Sequence, residues 1–290
     1  MSLKDKSSIT PPIAKKDPVE LEKHGDRRID PYYWMKLTDE QKNAETPDPQ
    51  TKEVVEYLEA ENEYREKMMA HLSGFQDDLF EEIKSRIKQE DISVPYKKNG
   101  YFYITRYETG QEYPIYSRKK GTLDSEEEIM LNVNELAKEY SYYHVSGRQV
   151  SPDNLILAFG EDTVSRRQYT LRFKNLSTGE FYNDKIENTT GTAIWANDNE
   201  TVFYTRKDES LRSYKIFRHK LGTPTTDDVE VYHEKDDTFN AFVFKTKSDK
   251  YIVIGSWATL SQEFYTLDAN NPEGKLQLFQ KEFLNLWVSS

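Results

Sequence analysis

Short apolar runs, each entered through an Asn- or Asp-bearing turn, recur along the chain from about residue 99 onward. The clearest lies between Val150 and Glu180. Ser151 to Asn154 reads as a turn, Leu155 to Phe159 is an uninterrupted apolar run, and Tyr169, Leu171 and Phe173 then alternate with Thr170, Arg172 and Lys174. Apolar runs of this length and a period of two predict β-strands, so the stretch reads strand, loop, strand, turn. The same order follows Asn197-Asp198-Asn199, with Thr201 to Thr205 and Tyr214 to Leu221. It recurs after Lys247-Ser248-Asp249, with Tyr251 to Ile254 and Phe264 to Asp268. An earlier copy starts at Asn99-Gly100 and continues through Tyr101 to Ile104 and Tyr113 to Tyr116.

The spacing carries the architecture. Asp153 to Tyr169, Asp198 to Tyr214 and Asp249 to Tyr265 are each sixteen residues apart, and the three units start 45 and then 51 residues apart. A period of roughly 40 to 50 residues, built of short strands, marks the β-propeller blade, a four-stranded sheet that covers its faces only against neighbouring blades. About four such units fit between residues 92 and 282. Two facing sheets would also supply strands, but not a fixed interval. The predicted fold is therefore mainly β, an incomplete propeller of the seven-bladed type with about four blades, preceded by an N-terminal arm and a helical hairpin.

Residues 1–50 form the polar arm, with one dense patch of aromatics among charges from His24 to Met35. That patch suggests a docking segment. Asp48 followed by Pro49 predicts a helix start, a side-chain cap and then a residue that needs no amide partner. Val54, Leu58, Met68 and Leu72 give a helical stripe to about Leu72, where Ser73-Gly74 is expected to end it. Leu79, Ile83 and Ile87 predict a second helix ending near Asp91. The domain boundaries that follow are an arm at 1–50, a helical hairpin at 51–91, a partial propeller at 92–282 and a tail at 283–290.

Composition narrows the partners. With a formal net charge of −11 and a pI near 5.1, the chain has no basic stripe to neutralise phosphates, which argues against nucleic acid. An acidic field attracts cationic ligands instead. The 20 Tyr and 14 Phe suit half-buried strands, where a ring packs and a hydroxyl stays wet. No cysteine is present, so disulfides, thiolate nucleophiles and Cys-ligated zinc are excluded. Residues 1–8 contain no apolar core of signal-peptide length and no run approaches a membrane span, so a cytoplasmic location without membrane contact is expected.

Catalytic signals are sparse. His24, His71, His144, His219 and His233 lack metal-ligand spacing, and neither G-x-S-x-G nor a Gly-rich phosphate loop occurs. No metal and no cofactor are predicted. Gly255-Ser256-Trp257 is the nearest glycine–serine pair, and its place in a predicted strand reads as structural. One charged group stands out: Glu161 and Asp162 with Arg166 and Arg167, on the loop between two strands of the best-formed unit. Adjacent cations need carboxylates or a bound anion. The group is either a local ion-pair cluster or a substrate-gate or interdomain contact.

Several ordered segments resemble a known family. HGDRRIDPYYWMK, YETGQEYPIYSRKKG, SPDNLILAFGEDTVSRRQYTLRFKNLSTGE, IWANDNETVFYTRKD, IFRHKLGT and EKDDTFNAFVFKTKSDKYIVI are similar, in this order, to the N-terminal half of the oligopeptidase B group of the prolyl oligopeptidase family of serine peptidases. The resemblance covers roughly residues 9 to 280. It implies a seven-bladed propeller that caps an α/β-hydrolase domain, whose Ser, Asp and His cut short basic peptides after Arg or Lys, with the propeller limiting access. The family's catalytic domain follows the propeller, so no catalytic residue is expected within these 290 residues and the chain by itself is expected to be inactive. Residues 281–290, KEFLNLWVSS, depart from the family's pattern. A stand-alone propeller used as a binding scaffold is the alternative reading.

Overall fold

The computed structural model describes residues 9–284, with side chains through Phe279. It divides between Lys88 and Gln89 into two compact units.

In the first unit the charged arm, whose sequence shows no apolar run, forms a β-hairpin, β1 (Val19–Lys23) and β2 (Asp26–Asp30). His24 and Gly25 make its turn with φ of 55° and 82°, the left-handed pair of a two-residue hairpin. Arg27 bridges Glu20 and Glu22 across the strands. A short 3-10 turn, Tyr33–Met35, leads to α1 (Asp39–Asn43), whose Thr38 and Gln41 form a reciprocal cap. The aromatic patch finds its partner within this unit. Trp34 packs edge-on against Tyr57 of α2 (Pro49–Met69) at 6.3 Å, and its indole N–H donates to the Lys15 carbonyl. Asp48 caps α2 by accepting from the Thr51 amide at 2.7 Å. One 3-10 turn, Ala70–Leu72, then joins α2 to α3 (Ser73–Ser85). Ser73-Gly74 therefore opens the second helix instead of breaking the chain, and α3 ends earlier than its apolar spacing predicts.

The second unit holds the predicted repeats. β3 (Tyr96–Lys98), β4 (Tyr101–Arg106), β5 (Ile115–Lys120) and β6 (Glu127–Asn132) make one antiparallel sheet, followed by the single helical turn α4 (Val133–Leu136). A seven-stranded sheet contains β7 (His144–Val150), β8 (Ile156–Asp162), β9 (Tyr169–Asn175), β10 (Phe181–Trp195), β11 (Thr201–Lys207), β12 (Ser213–Lys220) and β13 (Val229–His233). β14 (Asn240–Lys245), β15 (Tyr251–Trp257), β16 (Ser261–Asp268) and β17 (Gln277–Leu284) make the last sheet.

The fifteen-residue β10 joins two blades. Its first half pairs with β9 and its second half, from Thr189, pairs with β11. The strand is thus the outermost of blade 2 and the innermost of blade 3. Four blades result, and their middle strands are the apolar runs read from the sequence.

Those runs are continuous because both faces are covered. Alternation sends Leu157 and Phe159 of β8 into the core between blades 1 and 2, and Ala158 into the core between blades 2 and 3. In β11, Val202 and Tyr204 face blade 2 while Phe203 faces blade 4. Full burial of one such aromatic contributes about 1.5 to 3 kcal/mol, so each inter-blade face stabilises both of its blades.

The Asn/Asp turns also work between blades. Asn99, Asn154, Asn199 and Asp249 have φ of 46°, 66°, 63° and 56°, a left-handed conformation that Asn and Asp tolerate best after glycine. Each turn reaches its neighbour: the Asp153 amide donates to Asn199 Oδ1 at 2.8 Å, and Asn197 Nδ2 donates to the Asp249 carbonyl at 2.9 Å. Between blades 1 and 2, Arg118 donates to the Asn154 carbonyl at 2.9 Å.

Candidate functional site

The loop from Glu161 to Gln168 leaves β8 and returns as β9, at the end of blade 2 opposite the Asn turns. Asp162 is only 1% exposed and shapes the loop. Its Oδ1 accepts the amides of Val164 at 2.9 Å and Ser165 at 3.0 Å, and its Oδ2 accepts the amide of Arg167 at 2.8 Å. Three amides on one carboxylate allow Ser165 and Arg167 to hold φ of 63° and 55°.

Glu161 faces the other way. It accepts from Arg172 Nη1 at 2.7 Å and from the Tyr143 hydroxyl at 2.5 Å. Burial and the hydrogen bond to Glu161 push the Tyr143 phenol well up, so it stays a donor. Arg172 is also close to Phe181, 5.2 Å from the ring centroid.

The four predicted site residues therefore do not form one ion-pair cluster. Glu161 and Asp162 are taken by Arg172, Tyr143 and the loop's own amides, while Arg166 and Arg167 are exposed at its tip. Lys207, at the end of β11, donates to the Arg167 carbonyl. Burial holds the Lys207 ammonium below its usual range, opposed by the Asp162 charge and helped to a smaller extent by the Arg167 charge. A loop held by three amide hydrogen bonds to Asp162 thus presents two cations beside a third. Such an arrangement can contact an anionic surface or ligand.

A second polar network was not legible. His219 of β12 is fully buried, with Nδ1 2.6 Å from Asp228 and Nε2 3.0 Å from Asp184. Tyr204 donates to the other Asp228 oxygen at 2.7 Å, and Asp184 also accepts the Gly222 amide at 2.6 Å. Burial alone would depress the imidazolium, but hydrogen bonds to the two aspartates outweigh it and raise the pKa above the ordinary histidine value. Phe173 stacks on the ring at 6.2 Å, so the network is closed. It ties β10 to β12 and to the turn before β13. Ser256 is likewise structural: it is buried in β15 and donates to Glu234.

Residues 11–287 match the family described as prolyl oligopeptidase, N-terminal beta-propeller domain. The chain belongs to this family. It is 39% identical over 283 residues to dipeptidyl aminopeptidase BI of Pseudoxanthomonas mexicana, and 34% identical over 274 residues to Protease 2 of Moraxella lacunata. Both alignments cover 92% of this chain and 38% of the relative, so the chain spans well under half the length of the curated relatives it matches. Among solved structures, oligopeptidase B from Leishmania major superposes with a TM-score of 0.84 at 30% identity, over 96% of this chain and 40% of that one. Oligopeptidase B from Trypanosoma brucei, in a closed form with covalently bound antipain, gives 0.81 at 27% identity, over 95% and 40%. This is the propeller domain of a serine peptidase family, with oligopeptidase B homologues. Among the described residues no helix is long and apolar enough to cross a membrane.

Proposed function

We propose that the chain is the access-limiting propeller part of an oligopeptidase B-like serine endopeptidase that cuts short peptides after Arg or Lys. The observation that carries this reading is the likeness, over more than nine-tenths of the chain, to proteins named Protease 2 and oligopeptidase B. The net charge of −11 favours approach of cationic peptides. Hydrolysis would proceed by acyl transfer through a serine triad on an α/β-hydrolase partner domain, since these 290 residues hold no G-x-S-x-G. By itself the chain would bind and not cut. Exposed Arg166 and Arg167, on a loop fixed by Asp162, would contact carboxylates of that domain or of the substrate.

A second reading has its own support, because the 39% identical relative is named a dipeptidyl aminopeptidase. Such an enzyme takes a free N-terminal ammonium and releases two residues. The test is to read the coding sequence beyond codon 290, express what it encodes, and assay matched Arg-containing chromogenic peptides with free and blocked N-termini. Cleavage of the blocked peptide after Arg supports the endopeptidase. Cleavage of the free peptide alone supports dipeptide release. A stop directly after codon 290, with no turnover of either, would leave a binding scaffold.

A further inference from the structure

At the Asn-turn end of the four blades lies a cavity of about 680 Å³, within the range of small-ligand sites. Its wall carries three lysines, Lys98 from blade 1 and Lys245 and Lys247 from blade 4, against a single carboxylate, Asp249. In a chain of net charge −11 this is a local inversion of sign. Lys245 is the fixed member. Its side chain is 14% exposed, and its Nζ donates to Asn197 Oδ1 at 2.5 Å while lying 3.8 Å from Asp249.

Asn197 cannot swing away, because its Nδ2 donates to the Asp249 carbonyl at 2.9 Å and to Asn270 Oδ1 at 3.0 Å. Burial first, and then the Lys98 charge, hold the Lys245 ammonium below its usual range, partly offset by the Asp249 and Asp198 charges. An ammonium has three donors, and one is committed to Asn197. Lys98 and Lys247 are exposed and can close over a ligand. Phe244 and Ile194 supply an apolar wall beside the charges.

We propose that this cavity binds the terminal carboxylate of a short peptide, with Lys245 as the fixed partner, Lys98 and Lys247 as closing partners, and the last side chain against Phe244. A peptide end fits better than a bare anion because the charged and apolar walls adjoin. The choice of a peptide as ligand rests on the peptidase reading. The test uses this chain alone and no turnover, so binding can fail while hydrolysis by the extended gene product stands, and the reverse.

The experiment titrates the 290-residue chain with N-acetyl-Ala-Ala-Phe as the free acid and as the amide, by calorimetry at low and high salt, with sodium acetate as the small-anion control. The acid is expected to bind about tenfold or more tighter than the amide, the scale of one or two lost charge contacts. Its affinity should fall with salt. The paired substitution Lys98→Gln and Lys247→Gln should remove about tenfold from acid binding and leave amide binding unchanged. Both lysines are exposed, so the thermal midpoint checks that the variant is folded, and the acid–amide comparison on the unsubstituted chain decides the matter if it is not. Equal affinity for acid and amide, acetate binding as tightly as the peptide acid, or a folded paired variant that binds the acid undiminished would each overturn the proposal.

Discussion

The helices of residues 49–85 and the strands of blades 2 and 3 carry similar aromatic and aliphatic side chains but bury them differently. Phe75, Leu79, Phe80 and Ile83 of α3 are 40 to 64% exposed in this chain. Leu157, Ala158 and Phe159 of β8 are fully buried. A repeat unit stacked on its like covers both faces with residues of the same chain, whereas an amphipathic helix covers its apolar face only when another surface arrives. Stability should therefore be concentrated between blades, and substitutions of similar chemistry should have very different effects in the two units.

The sharpest contrast uses two glycines. A Cβ at Gly160 of β8 would lie 2.4 Å from the Gly191 Cα, where β10 crosses over β8, and no flexible side chain is there to yield. Gly160→Val is expected to cost about 4 kcal/mol or more, read as loss of soluble, cooperatively unfolding protein. At Gly74 nothing lies within 4 Å of an added Cβ and the backbone is helical. Gly74→Ala should raise stability of the helical unit by about 0.5 to 1 kcal/mol, seen as increased helical ellipticity and a higher local midpoint.

Next in size is the buried histidine. His219→Leu leaves Asp184 and Asp228 facing an apolar side chain, and removing one partner from a buried charged network costs about 3 kcal/mol in urea unfolding. The sign with pH follows from the raised pKa. The folded state holds its proton more tightly than the unfolded state, so the contribution is complete below the unfolded value of 6.5 and is lost as pH rises through the higher folded value. Between pH 6 and 9 the unsubstituted protein should lose stability that the leucine variant, already weaker, does not lose. The smallest effect is expected at Phe80→Ser in α3, within about 0.5 kcal/mol, because the ring is 61% exposed. A loss of several kcal/mol there would show that the helices carry a core of their own.

What was readable in the sequence follows the same division. The second and third strands of each blade announced themselves because an Asn or Asp in left-handed conformation precedes an apolar run buried on both faces, as at Asn154 and Asn199. β1, β2 and β7 did not, since DRRID is charged and mostly exposed while HVSGRQV has no apolar run and buries only Val145, so both are ordered by their partners. β10 was missed because half of it belongs to each of two blades, with register shifts on both sides.

At the loop, the charges were legible but their partners were not. Sequence neighbours suggested Arg166 and Arg167, yet Glu161 lies opposite Thr170 in the β8–β9 ladder, which puts Arg172 on the same face one diagonal step away. His219, Asp184 and Asp228 leave no local trace, because 35 residues separate the first two and only the fold joins them. The tail predicted at 283–290 lies, from residue 285 on, outside the described residues.

Native-state hydrogen exchange on the 290-residue chain tests most directly whether the blades hold one another together. The amides of β8, β9, β11 and β15 should exchange last and with a common opening free energy, and those of α3 should exchange first. Helical amides as slow as those of β8, or blade 2 opening independently of blades 1 and 3, would contradict the account.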